Sequence, residues 1–456
     1  MNKIRLFGGL AAIVLAGAGI LEFRSCEEKE KITEIRDIEV LGKVSITADP
    51  YKVGEFYAER YHVPPAITLG TITVESKGRH YDSKGKVLKG NDGERGIIQI
   101  KQDFVEDIIK ALSLGFIKAD ETNWNDVVNQ PAENIRAGVL AHRLILRKLR
   151  DMDVPPGNSE PLTILGYNAG WPTAVIKARE RDKSFRKVVD SFDNKKRKAY
   201  LGYIGSVIGY GRTLDRNLQS PTNGKLKITS NYGMRKHPKL KIKRHHDGID
   251  IQAKEGEKIL SPDDLIVKNR GLSSSRGHYI DLKTETKEGF YIQYKFNHCR
   301  SIKVRRGDKT KRGQLIANVG HTGLATGPHI HLEVSAVYSP QIGDEVEILL
   351  DPKIALGLRK PKPIRFSFDR DDALDFVKFS YRKGRDYAIK RMCNKAYEHL
   401  DNVIQTGVLT TLADDAALIA GDCFRKEKRF NESTQAYKRG IAFNGDMKVE
   451  LEKRLN

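Results

Sequence analysis

Apolar positions change their spacing twice along this chain. From about residue 50 to 215 they recur at helical intervals, in Ala58 to Tyr61, Ala66 to Val74, Val105 to Leu112, Ile135 to Leu149 and Pro161 to Tyr167. From about 224 to 350 they fall instead in short runs separated by glycines: Lys227 to Ser230, Lys258 to Leu260, His278 to Leu282, Phe290 to Tyr294, Gln314 to Val319 and His331 to Val334. Many short strands with Gly turns predict an antiparallel β domain. Lys360-Pro361-Lys362-Pro363 reads as a linker, and residues 370–456 return to a helical pattern.

The first residues have their own pattern. Lys3 and Arg5 precede an apolar run from Leu6 to Leu21, which Glu22 and Arg24 close. A positive start and an apolar stretch predict an export signal. The run is short of the roughly 20 residues that a bilayer span needs. Three readings stand: a signal cleaved near Ala16-Gly17-Ala18, an uncleaved membrane anchor, or lipid attachment at Cys26. Each places the rest of the chain outside the cytoplasm. The expected organisation is therefore a signal or anchor at 1–25, a charged spacer at 26–47, a helical domain at 48–215, a β domain at 216–360 and a helical segment at 361–456.

Length and charge are consistent with this. A chain of 456 residues is too long for one core. Its formal net charge is +21, from 80 Lys plus Arg against 59 Asp plus Glu. The basic residues are spread rather than gathered in one arm, so an anionic cell envelope is expected as partner and nucleic acid is not. The four cysteines include no CxxC pair, which argues against a cysteine-built zinc site. Cys393 and Cys423 could pair across a helical hairpin, but two buried thiols are the simpler expectation.

The chemistry concentrates in the β region, in three clusters: His246-Asp247-Gly248-Ile249-Asp250, His298, and Gly327-Pro328-His329-Ile330-His331. Residues two apart on a strand face the same side, so His329 and His331 share a cleft, as do His246 and Asp250. Two such strands side by side place two imidazoles and a carboxylate around one ion, the donor set of a catalytic zinc site.

Residues 228–334 resemble the lysostaphin/LytM-type zinc endopeptidases. The resemblance rests on Ser230-Asn231-Tyr232-Gly233-Met234-Arg235 with His237-Pro238, on His246 to Asp250 continuing through Ile251 and Ala253, and on Val304, Gly307-Asp308, Gly313-Gln314, Gly320-His321-Thr322-Gly323 and Gly327 to Val334. It implies Zn2+ held by His246, Asp250 and His331, with His298 and His329 activating water and steadying the tetrahedral intermediate. It also implies hydrolysis of peptide cross-links in peptidoglycan. The sequence departs from the family at Cys299, where Leu is usual. His245 competes with His246 as ligand, and Gly248-Ile249-Asp250 fixes the register in favour of His246.

The helical domain offers one candidate. Glu75 ends an apolar helix, where burial raises a carboxyl pKa and suits it to donate a proton. Glu75-Ser76, Gly93 to Ile100, Asn134-Ile135-Arg136-Ala137-Gly138 and Tyr167-Asn168-Ala169-Gly170 occur in an order similar to that of the soluble lytic transglycosylases, over roughly residues 50–180. The resemblance implies a lysozyme-like fold, with Glu75 as acid/base, Ser76, Gln99, Tyr167 and Asn168 lining a sugar cleft, and an anhydro-sugar product formed without water. Asp82, Asp92 and Glu94 keep open a true lysozyme with two carboxylates.

At the C-terminus, Gly421, Phe424, Phe430 and Tyr437 fall at spacings similar to one tetratricopeptide-type helical pair. They read either as a small bundle packed on the β domain or as a docking module for another envelope protein. The whole predicts an exported, two-headed wall-degrading enzyme. Such a chain suits a secretion, conjugation or phage machine that must pass the wall. The alternative keeps the peptidase and makes the lysozyme-like domain a non-catalytic wall-binding module.

Overall fold

The computed structural model describes residues 43–456 apart from 117–118, 217, 223, 225, 237–241, 288, 341–343, 407–409, 444, 446 and 456. The signal or anchor at 1–25, Cys26, most of the spacer and His237-Pro238 lie outside the described residues. The last part of the expected spacer is strand β1 (Val44–Ala48). Its alternation of Ile46 and Ala48 inward with Ser45 and Thr47 between them suits a half-buried strand.

Helices follow: α1 (Pro50–Arg60), α2 (Pro65–Ser76), α3 (Gln102–Ser113), α4 (Trp124–Asn129), α5 (Pro131–Arg150), α6 (Pro156–Ala169), α7 (Trp171–Glu180), α8 (Phe185–Asp190) and α9 (Asn194–Leu214). Prolines at the first turn start α1, α2, α5, α6 and α7, where the missing N–H costs nothing. The Asp49 side chain accepts from Tyr51 N and caps α1.

The next stretch is strand: β2 (Ile228–Ser230), β3 (Gly233–Lys236), β4 (Lys243–His246), β5 (Gly248–Gln252), β6 (Lys258–Leu260), β7 (Leu265–Ser273), β8 (Gly277–Lys283), β9 (Phe290–Cys299), β10 (Ser301–Ile302), β11 (Lys309–Thr310), β12 (Leu315–Asn318), β13 (His329–Tyr338) and β14 (Val346–Leu350). The main sheet runs β11-β7-β8-β9-β13-β5-β2, with β14 also on β13 and every pairing antiparallel. One face carries Ile249, Ile251, Tyr294, Phe296, Ile330, Leu332 and Val334 into a core of its own. The short helix α10 (Pro352–Ala355) closes this region. Strand β15 (Ile364–Phe368) then leads into α11 (Arg370–Ile389), α12 (Cys393–Thr406), α13 (Thr410–Lys426), α14 (Phe430–Ile441) and α15 (Lys448–Leu455).

The C-terminal helices share a core mainly with the N-terminal helices, a core that Phe290 and Tyr338 of the β domain join on its other side through Phe185 of α8. That corrects the expectation of a bundle packed on the β domain. The reason is pairing: β1 and β15 form an antiparallel ribbon, Val44 opposite Phe368 and Ala48 opposite Ile364. Phe56 meets Phe376 edge-on at 5.5 Å. Beneath them Tyr57 donates to Asp372 at 2.9 Å, and Arg60 pairs with the same carboxylate. Cys393 and Cys423 are joined by a disulfide, with Cα atoms 5.5 Å apart, so the expectation of two free thiols is corrected too. Between α13 and α14 the ring of Tyr437 fills the space over Gly421, where a Cβ would lie 2.1 Å from it.

Helix α9 is clamped on both sides through glycines. A Cβ on Gly70 of α2 would sit 2.0 Å from the Val207 carbonyl oxygen of α9. On the other flank a Cβ on Gly205 would meet Ile348 at 2.7 Å, and one on Gly209 would meet Leu350 at 2.7 Å. Gly70→Ala forces the backbones of α2 and α9 apart, because a carbonyl oxygen cannot rotate away as a side chain can. Its expected cost is about 1–3 kcal/mol, read as a lowered denaturation midpoint with an unchanged slope.

Candidate active sites

Strands β5 and β13 are neighbours, with Asp250 directly opposite His331. His329, His331 and Glu333 alternate with the buried Ile330 and Leu332, so they leave the sheet on the face away from the core. His246 comes from the end of β4, which Asp247 separates from β5. The donors close into a triangle: His246 Nε2 lies 3.2 Å from His331 Nδ1, which lies 2.9 Å from Asp250 Oδ1, which lies 3.3 Å from His246 Nε2. A tetrahedral zinc with bonds near 2.0–2.1 Å has ligand–ligand edges of about 3.3 Å. The three donors thus stand where one ion would gather them, and they form the metal-capable His/Asp cluster among the described residues.

The far nitrogens fix the tautomers. His246 Nδ1 donates to the Asn231 carbonyl at 2.8 Å, and His331 Nε2 donates to Glu333 at 3.1 Å. Each imidazole thereby turns its lone pair toward the triangle, the usual outer support of a metal-binding histidine. Burial works to raise the Asp250 pKa, but the adjoining His246 and His331 rings outweigh it and hold the carboxyl well below its ordinary range. His245 turns away, to Asp247 at 2.7 Å and onto the Tyr232 ring.

His298 reaches the same cleft through an irregularity. On a regular β9 it would share the core face of Phe296. Instead the pairing with β8 slips between Cys299 and Phe296, a β-bulge with one extra residue on β9, and His298 adopts φ +63°. Its ring stands 5.2 Å from His329 and 5.8 Å from His331. The Nδ1–H groups of His298 and His329 are committed to the carbonyls of Thr322 and Gly327, both at 2.8 Å, which turns each Nε2 to the cleft, that of His329 lying 3.6 Å from Asp250 Oδ1. Burial, reinforced by the neighbouring imidazoles, pushes the His298 pKa down to about 4. Cys299 is fully buried in the core. It packs where the resemblance has Leu, and burial pushes its thiol up to about 12.

In the helical domain Glu75 lies at the end of α2, largely buried, with the Tyr203 hydroxyl of α9 donating to Oε1 at 2.5 Å. Burial, aided by the negative charge of Glu94, raises its pKa to about 7 against the opposing Tyr203 hydrogen bond. Tyr167 donates to the Ile98 carbonyl at 2.8 Å and so joins α6 to the loop carrying Gln99, whose φ is +49°. Gln99 Nε2 donates to the Gly96 carbonyl at 2.6 Å, and Asn168 is exposed. Asn134 anchors that loop from behind, accepting from Ile98 N and donating to the carbonyls of Arg95 and Val127.

Ser76 departs from its expected place in a cleft. It is 4% exposed, and its Oγ accepts from the backbone N–H groups of Gly78 and Arg79. It finishes α2 and sets the direction of the chain after Glu75. Of the alternative carboxylates, Asp82 holds a turn by accepting from Lys84 N and Lys86 N, and Asp92 is exposed. Glu94 alone of the three acts on Glu75.

Sequence reasoning missed Glu333 and Tyr203. Glu333 had a signal, since it follows His331 by two and shares its strand face. Tyr203 had none, because it lies far along the chain and meets Glu75 only through the packing of α9 on α2.

A pair of imidazoles and a carboxylate closing on one point, with two further imidazoles facing them from an antiparallel sheet, defines a metallopeptidase-type centre. Residues 244–342 match Peptidase family M23, so the chain carries an M23, LytM-type peptidase domain, and that class uses zinc. The chain is 32% identical over 126 residues to the peptidoglycan DD-endopeptidase ShyA of Vibrio cholerae, a stretch covering 27% of this chain and 28% of that protein. It is 29% identical over 107 residues to the DD-carboxypeptidase/endopeptidase Mpg of Neisseria meningitidis, covering 24% of each. The catalytic domain of lysostaphin from Staphylococcus simulans aligns at 24% identity over 29% of this chain and 92% of that one, with a TM-score of 0.25. The chain thus spans only about a quarter of the length of these two curated relatives.

Two measurements follow from the geometry. Glu333→Gln removes the carboxylate that orients His331, and zinc affinity measured against a competing chelator is expected to fall roughly 10- to 100-fold. The raised pKa of Glu75 means that its contribution to stability is fully present below the unfolded value near 4.5 and lost as pH rises through about 7. Glu75→Gln removes that loss, so its stability gain over the parent, about 3 kcal/mol by linkage at pH 8, should shrink toward zero at pH 4.

Proposed function

We propose that this chain is an exported peptidoglycan-degrading enzyme with two active sites, one cutting peptide cross-links and one cutting glycan strands. The observation that carries the reading is the donor triangle of His246, Asp250 and His331 inside the residues that match the M23 family. The related ShyA and Mpg proteins, described as peptidoglycan DD-endopeptidase and DD-carboxypeptidase/endopeptidase, support peptidoglycan as substrate and the cell envelope as its place of action. The Cys393–Cys423 disulfide fits an oxidising compartment outside the cytoplasm. Among the described residues no helix is long and apolar enough to cross a membrane.

In the peptidase half, zinc held by His246, Asp250 and His331 supplies Lewis acidity and a water of lowered pKa. The chain supplies the rest. Glu333 and the Asn231 carbonyl keep the two ligand imidazoles oriented. His298 and His329 present Nε2 to the cleft: one would take a proton from the attacking water, and the imidazolium so formed would donate to the carbonyl oxygen as its charge grows and then give the proton to the departing amine.

In the glycan half, the lysozyme-like reading rests on Glu75. With a pKa near 7 it is protonated for a large fraction of molecules at neutral pH and can give its proton to the glycosidic oxygen. The resulting carboxylate then takes a proton from a hydroxyl of the same sugar, which closes the anhydro ring. Tyr203 holds the carboxyl in place, and Gln99, Tyr167 and Asn168 bound the proposed sugar cleft. In the hydrolytic variant Glu94 is the second carboxylate. Together the two cuts open the wall locally, and the C-terminal helices are the proposed docking face for an envelope machine.

The test is product analysis of purified peptidoglycan digested by the intact protein, Glu75→Gln and His331→Ala. Anhydro-muropeptides lost only in Glu75→Gln, together with new peptide ends lost only in His331→Ala, are the expected result. Reducing ends in place of anhydro ends assign a lysozyme with Glu94. No new sugar ends from the intact protein would make the helical domain a wall-binding module.

A further inference from the structure

The ribbon β3–β4 places Arg235 directly opposite Arg244. Arg244 lies two residues before His246 on the same strand, so both guanidinium groups emerge on the face that carries the metal ligand. They line a cleft of about 220 Å³ together with His246, Asp250, His329 and His331. Like charges directly opposite on a strand pair are destabilising, which favours an anion between them.

The anions already in the cleft are committed. Asp250 belongs to the ligand triangle, Glu333 to His331 and Lys295, and Asp247 to His245. A third arginine, Arg276, is committed as well, to Asp281 and Asn297 and over the Tyr279 ring at 3.8 Å. Arg235 touches Asp250 at 3.4 Å with one nitrogen, which keeps its fork beside the ligands. Arg244 is exposed and has no hydrogen-bond or ion-pair partner among the described residues. The cleft therefore carries one cation anchored at the ligands and one open to solvent, both without a matching anion of their own.

We propose that Arg235 and Arg244 form a subsite for a free carboxylate of the substrate peptide, borne by a residue next to the amide that is cut. The inference rests on the peptidase reading above and narrows it. The peptide preferred is therefore one whose residue beside the cut amide keeps an ionised carboxylate over the same peptide with that charge removed. Planar guanidinium forks match a carboxylate in two parallel hydrogen bonds, which gives orientation as well as attraction. Held there, the acid sets the neighbouring amide at a fixed distance from the ligand triangle.

The test uses the full zinc-loaded chain and two synthetic cross-link peptides that differ only at the flanking carboxylate, free in one and a primary amide in the other. The acid is expected to be cut with a kcat/KM about tenfold higher at low salt, a charge-assisted contact discounted for an exposed partner, and the ratio should fall as salt rises. In Arg244→Gln the ratio should drop toward one. In Arg244→Glu it should invert when the carboxylate is replaced by an amine. Equal cleavage of acid and amide by the unaltered chain would overturn the proposal, as would a preference that survives in Arg244→Gln. If neither peptide is cut, the peptidase reading itself is at fault. Equilibrium binding of the two peptides to His331→Ala then decides the subsite, with tighter binding of the acid expected and equal binding against it.

Discussion

Three electron-rich atoms held about 3 Å apart repel one another, and the β domain is organised to keep them there. Asp250 and His331 meet because β5 and β13 are adjacent and in register. His246 joins them because the chain breaks at Asp247 and turns β4 out of the main sheet. The commitments of Asn231 and Glu333 prevent either ring from rotating to relieve the crowding. An ion resolves the repulsion that the fold imposes, so metal binding and folding of this region draw on the same free energy.

The donor triangle was legible in the sequence because each part of it is local. Strand parity places His329 with His331, and Gly248-Ile249-Asp250 sets the register of His246. The role expected of His298 came only through family resemblance. Alternation alone would bury it with Phe296, and the bulge that redirects it depends on pairing with a strand twenty residues away in the chain order of the hairpin. Ser76 was misread because a hydroxyl after a candidate acid looks like a ligand for sugar, whereas here it satisfies the end of its own helix. The ribbon of β1 with β15 was invisible to local pattern for the plainest reason: its two halves are separated in sequence by helices α1 to α9 and the whole β domain.

Helix α9 links the two candidate sites. One flank meets α2 through Gly70, near the middle of the helix that ends in Glu75, and the other meets β13 and β14 through Gly205 and Gly209. The same helix supplies Tyr203 to Glu75. A displacement of α9 is therefore felt at the carboxyl, while its opposite flank packs on the strand that carries His329 and His331. The two candidate sites thus share a wall.

The β1–β15 ribbon also dictates an order of events during synthesis. Val44 finds its partner only when Phe368 has been made, after both candidate catalytic regions have emerged. Until then Ile46, Phe56 and Tyr57 lack the aromatic cover of Phe366, Phe368 and Phe376. Pairing between such distant segments is slow, so the helical domain would spend its early life open along one side. An interrupted chain would expose that apolar flank to proteases before the helical domain had closed.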